Sequence, residues 1–139
     1  MIVLDTNVLS EPLKPGPEPT VVEWLDAQHP GTLCITAITV AELRYGLAAL
    51  PEGRRKAILT KRLEAEVLPL FGSRILPFDD DAAAQYADLQ AAARASGRPM
   101  PVLDAQIAAI ARARGCALAT RNVADFEGAG LVLINPWRG

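Results

Sequence analysis

Histidine and cysteine are scarce in this chain, and no long apolar run is present. One histidine, two cysteines and no CxxC pair leave too few nitrogen and sulfur ligands for a zinc site. Cys34 and Cys116 both lie in apolar stretches of strand type and read as reduced, buried thiols. His29 stands before Pro30-Gly31, in a turn. No stretch approaches the roughly 18 apolar residues that span a bilayer. No basic leader precedes the first strand, so a cytoplasmic protein with no membrane attachment is expected. The net charge of −2 argues against a general nucleic-acid coat protein.

What is present is enough apolar residue for a sizeable core, 50% of the 139 residues, which suits one domain over 1–139. The opening stretch MIVLDTNVLS organises the rest. Ile2-Val3-Leu4 is a short strand that begins at the N-terminus, and Asp5, Thr6 and Asn7 follow at once, residues that favour a helix start. A buried strand ending in a carboxylate presents it at the C-terminal edge of a sheet, where open α/β sheets bind ligands.

Strands and helices then alternate. Val8 to Leu13 reads as a short helix that breaks at Pro15-Gly16-Pro17, and Thr20 to Gln28 as a second helix. Leu33 to Ile35 reads as a strand, Thr36 to Leu50 as a long helix, and Arg54 to Leu70 as another. Arg74 to Phe78 is expected as a third strand. Asp79-Asp80-Asp81 starts an Ala-rich helix to Ala95, its acids suiting the helix dipole. Val102 to Arg114 is a helix closed by Gly115. Cys116 to Ala119 and Leu131 to Ile134 are the last two strands. The alternation implies an α/β fold with a mostly parallel sheet covered on both faces.

Four acids stand at suggestive places: Asp5 after the first strand, Glu42 in the helix after the second, Asp104 at the start of the helix before the fourth, and Asp125 after the fourth. Each has a modest explanation. Asp5 caps a helix; Thr39-Val40-Ala41-Glu42 has the form of a capping box; Asp104 lies in a first turn; Asp125 stabilises a turn. Helical phase, however, puts Asp104 on one face with Ile107, Ala108 and Ala111, and Glu42 with Tyr45, Gly46 and Ala49. Those faces are expected to turn inward, with Arg44 and Arg112 pointing elsewhere. Carboxylates are rarely buried without partners. Two like charges about 4 Å apart cost roughly 4 kcal/mol at an effective dielectric near 20. Four converging carboxylates therefore call for a hard divalent cation, Mg²⁺ or Mn²⁺. A water made acidic by that ion can attack a phosphodiester. Thr6, Thr120 and Asn122 are placed to orient the water or the phosphate. With the four acids set aside, the rest of the chain nets +2, compatible with a phosphate substrate.

MIVLDTNVLSE at the start, ITVAELRYG in the middle, and DAQIAAIARARG followed by LATRNVADFE resemble the PIN-domain ribonucleases. The nearest likeness is to VapC toxins of bacterial toxin–antitoxin pairs, in the FitB-like branch, and it runs from residue 1 to Pro136-Trp137. The resemblance implies a PIN-like three-layer α/β/α sandwich with a five-stranded parallel sheet and metal-dependent RNA cleavage. It puts the acidic cluster on Asp5, Glu42, Asp104 and Asp125, with Asp5 and Asp104 on the metal and Thr120 as a polar helper. It also implies a homodimer and a VapB-like antitoxin that blocks the site and carries the DNA-binding part. Val102-Leu103 depart from the pattern, since many relatives have a further polar or acidic residue there, which bears on a second metal. The basic stretch Arg54, Arg55, Lys56, Lys61 and Arg62 is either an RNA track or a solvated helix face.

Two rival readings differ in chemistry. A non-catalytic PIN-like module would bind RNA or a partner without cutting. A phosphatase with a nucleophilic Asp would carry a DxD-type motif after the first strand, where this chain has Asp5-Thr6-Asn7.

Overall fold

In the computed structural model, which describes residues 1–138, five parallel strands form one sheet in the order β3-β2-β1-β4-β5. The strands are β1 (Ile2–Leu4), β2 (Leu33–Thr36), β3 (Ile75–Leu76), β4 (Ala117–Ala119) and β5 (Leu133–Ile134). Ile2 pairs with Leu33 on one side and Ala117 on the other, so the first strand is central. The chain steps outward from β1 to β3, then returns to the other side of β1 for β4. This reversal places a crevice at the C-terminal ends of β1 and β4, the usual ligand position in open α/β sheets.

Alternation along the short strands builds two separate cores. Val3, Cys34 and Leu118 face one side and pack with Leu89, Ile107 and Ile110. Those residues come from α6 (Asp80–Ala95) and α7 (Val102–Ala113). Leu4, Ile35 and Ala119 face the other side and pack with Val8, Val40, Leu63 and Phe71. That layer is made by α1 (Thr6–Ser10), α3 (Ala37–Ala48), α4 (Arg54–Arg62) and α5 (Leu68–Phe71), beside α2 (Pro19–Ala27). The architecture is the expected three-layer α/β/α sandwich. Both cysteines are free and buried. No helix among the described residues is long and apolar enough to cross a membrane.

The element boundaries differ from the sequence expectation where proline intervenes. The helix expected from Arg54 to Leu70 is interrupted by a π turn, Leu63–Val67, whose exit is the Leu68 amide donating to Leu63 O. Pro69 has no N–H for a regular turn, and the widened turn carries the chain past it. The first helix starts earlier than expected, at Thr6, and tightens into a 3₁₀ turn, Glu11–Leu13, over Pro12. β3 keeps two of its five expected residues, because Gly72–Arg74 coils into a 3₁₀ turn and Pro77 cannot donate to a ladder. β5 likewise keeps Leu133 and Ile134 alone.

Asp79 is the cap expected of it. Its Oδ1 accepts from the Ala82 amide at 3.0 Å. Gly115, just past α7, takes a left-handed φ of 64°, which lets the chain reverse into β4.

Candidate active site at the sheet edge

Asp5 leaves the end of β1 and caps α1. Its Oδ1 accepts from the Thr6 amide at 2.8 Å, and its Oδ2 accepts from the Thr120 hydroxyl at 2.7 Å. Thr120 follows β4 directly, so the two strands flanking the crevice are tied through these side chains. Thr120 is fully buried, and its Oγ1 also accepts from the Asn122 amide at 3.1 Å. That bond sets the start of the 3₁₀ turn Val123–Phe126, which carries Asp125 into solvent beside the crevice.

Glu42 is not part of a capping box. The cap of α3 is Thr36, whose Oγ1 accepts from the Thr39 amide at 3.1 Å, so Thr39 is already inside the helix. Glu42 Oε1 instead accepts from the Thr6 hydroxyl at 2.8 Å. Thr6 Oγ1 lies 3.0 Å from Thr39 Oγ1, which is 3.4 Å from Thr36 Oγ1. Since the single Thr6 proton goes to the carboxylate, the hydroxyls form a line that donates from Thr36 through Thr39 and Thr6 to Glu42. The role of Thr36 and Thr39 in this line was not legible from their spacing, which marks only a helix start.

The two helix faces expected to turn inward behave differently. Ile107, Ala108 and Ala111 are at most 1% exposed, so Asp104 sits at the rim of a buried face. The Glu42 face looks outward, with Tyr45 75% exposed and Gly46 and Ala49 exposed. α3 packs on the sheet through Thr39 and Val40 and half-buries Leu43 and Leu47 against the second core, leaving the opposite side of its later turns in solvent.

None of the four acids is locked to a cation. The ion pairs among the described residues join Lys14 to Glu11, Arg44 to Glu64, Lys56 to Glu52 and Arg114 to Asp79. Burial pushes the Asp104 carboxyl up to about 6, and the charges of Asp5, Asp125 and Glu42 push in the same direction. Asp5 is raised as well, by burial first. The bonds from Thr120 and Thr6 oppose the rise, and Asp125 adds to it. The charges of Asp5, Asp125 and Glu42 each make ionisation of Asp104 harder. Hard oxygen donors crowded without a counter-charge suit a small divalent ion. No three of them are drawn together into a ready coordination shell among the described residues. The Asn7 Oδ1, two residues beyond Asp5, is buried and accepts no hydrogen bond.

The basic stretch divides. Arg55 and Arg62 line an apolar hollow of about 360 Å³ with Glu42, Leu43 and Leu59. Lys56 is folded back, its Nζ 2.6 Å from Glu52 and 3.1 Å from Ala48 O. His29 serves its turn, with Nδ1 accepting from the Gly31 amide at 3.1 Å.

A PIN domain model matches residues 2–128. The chain is 56% identical over 137 residues to VapC ribonuclease Y4jK of Sinorhizobium fredii, covering 99% of this chain and 98% of that one. It is 47% identical over 137 residues to toxin FitB of Neisseria gonorrhoeae, covering 99% of each. The crystal structure of FitAcB from Neisseria gonorrhoeae superposes with a TM-score of 0.96 at 46% identity, over the whole of both chains. Fold and coverage agree across these matches, and the chain belongs to the VapC group of the PIN-domain family.

Proposed function

We propose that this chain is a divalent-metal-dependent endoribonuclease acting as the toxin half of a toxin–antitoxin pair. The observation that carries the reading is that Asp104 feels the charges of Asp5, Glu42 and Asp125 while no ion pair among the described residues engages any of the four. The ribonuclease and toxin names of the relatives support the same assignment.

Asp5 and Asp104 would hold Mg²⁺ or Mn²⁺. The bound ion supplies the Lewis acidity that makes water nucleophilic toward a phosphodiester. The chain's own residues prepare the site. Thr6 and Thr120 fix both oxygens of Asp5 in advance. The Thr6 hydroxyl aims Glu42 at the same crevice. Glu42 and Asp125 keep the rim negative, and each is an acceptor for a proton released during attack. Preorganised acceptors of this kind cost little rearrangement when the reaction occurs. The reading includes action in the cytoplasm, a homodimer, and a VapB-like antitoxin through which alone the complex reaches DNA.

The deciding experiment uses purified chain, free of partner, on RNA in EDTA and then with Mg²⁺ or Mn²⁺ restored. Cleavage should vanish and return, and Asp5→Ala or Asp104→Ala should abolish it while the protein stays folded. Full activity of either variant with metal present would end the assignment. No cleavage under any condition favours a non-catalytic PIN-like module that binds RNA or a partner.

A further inference from the structure

A second basic position stands at the same sheet edge, apart from the stretch singled out in the sequence. Arg121 directly follows Thr120, whose hydroxyl holds Asp5, so its backbone is anchored to the site. Its guanidinium carbon lies 5.1 Å above the centroid of the Trp137 ring. Trp137 packs on the second core beside Trp24, Leu25 and Ile134. The turn that carries it is pinned, since Asn135 Oδ1 accepts from the Trp137 amide at 3.0 Å and Asn135 O from the Arg138 amide at 3.1 Å. The Thr120 amide donates to Ile134 O at 2.9 Å, which ties the turn to β4.

The ring thus forms a fixed platform beneath the guanidinium. Neither Arg121 nor Arg138 joins an ion pair among the described residues. Both line a hollow of about 630 Å³ together with Asn122, Asn135 and Asp125. The Arg121 charge reaches the Glu11 carboxyl, which it helps to lower, but no ion pair holds the guanidinium, and a guanidinium in that state is suited to a phosphate. Asp125 and Glu127 in the same wall repel a bare anion, which restricts a phosphate to the arginine side.

We infer that Arg121, whose guanidinium lies over Trp137, binds a backbone phosphate of the RNA strand beside the acids. This rests on the nuclease reading for its substrate, but its test does not depend on catalysis. Binding of a short single-stranded RNA is followed by fluorescence anisotropy in EDTA over a range of salt. Arg121→Gln should weaken binding about tenfold, the size of one charge-assisted contact. It should also make the salt dependence shallower by about 0.7 in log–log slope, as for one single-strand phosphate contact. Arg121→Lys should restore the slope and part of the affinity. Arg94→Gln removes the same charge from an exposed position of α6 and should change little. In metal, Arg121→Gln should raise KM with kcat nearly kept. An unchanged slope and affinity in Arg121→Gln overturns the inference, as does an equal loss in Arg94→Gln. Absence of cleavage by the unsubstituted chain would instead sink the nuclease reading, leaving the binding result to be judged by itself.

Discussion

Thr6 and Glu42 are joined across 2.8 Å, hydroxyl to carboxylate, although 36 residues of chain separate them. The residue beside Thr6 is Asp5, whose Oδ1 accepts from the Thr6 amide, so this one threonine bonds two of the four acids. Thr6→Val keeps the shape and removes the donor. Glu42 is only half-buried and can turn to water, but the fully buried Thr39 hydroxyl loses its acceptor, so a stability cost of about 1–3 kcal/mol is expected. Cleavage should fall by about tenfold, since an unaimed carboxylate loses the benefit of preorganisation. Equal activity of Thr6→Val and the parent in a single-turnover assay would show that Glu42 needs no aiming.

Thr120 is itself fully buried and bonded on both sides. Thr120→Val strands the Asn122 amide and one oxygen of Asp5. A cost of about 1–3 kcal/mol is expected in urea unfolding, the penalty for unsatisfied buried groups. Thr120→Ser should recover most of it.

The pH dependence of the metal-free protein follows from Asp104 and Asp5. Their carboxyls are raised in the folded state, so folding favours the protonated forms. Stability in EDTA should therefore be highest below the ordinary value of 3.8 and decline as pH rises toward about 6, the position to which Asp104 is pushed. Glu11, lowered chiefly by the bond from the Glu18 amide and then by Lys14, acts in the other direction and loses its contribution as pH falls. Mg²⁺ should remove the decline between about pH 4 and 6. Asp104→Asn should flatten it without metal and raise the melting temperature in EDTA at pH 7 by about 4 °C, near 1 kcal/mol for a domain of this size. A profile that is flat in the parent chain would contradict the crowding of the acids.

Cys34 and Cys116 are both buried, and burial pushes both thiols up. Neither should react with iodoacetamide in the native protein at pH 7.5, and both should be modified in denaturant. Rapid native labelling would show that the first core opens.

Much of the fold was legible because strand and helix periods alternate and because glycine and acidic caps mark the joints. The limits lay in proline and in long-range bonds. Pro69 sits in an otherwise regular apolar pattern, and periodicity alone does not reveal that the chain passes it with a π turn. Glu42 illustrates the second limit. Its spacing from Thr39 fits a capping box, yet Thr36 takes the cap and Thr6, from another helix, takes Glu42. The inward face expected for Glu42 failed because apolar spacing around Tyr45 and Gly46 says nothing of where α3 leaves the sheet. Asp104 was easier to place, since alanine and isoleucine at its helical offsets belong to a buried face. Arg121 and Trp137 carried no mark in the sequence, because nothing local links residues 16 positions apart.

The central place of the first strand has a further consequence for synthesis. β1 is made before the other elements of this fold, yet its second neighbour begins at Ala117. The bond from Thr120 to Asp5 closes a loop of 115 residues, among the slowest kinds of contact to form. A nascent or truncated chain lacking β4 has no crevice, so the acids can gather only after β4 and Thr120 have been made.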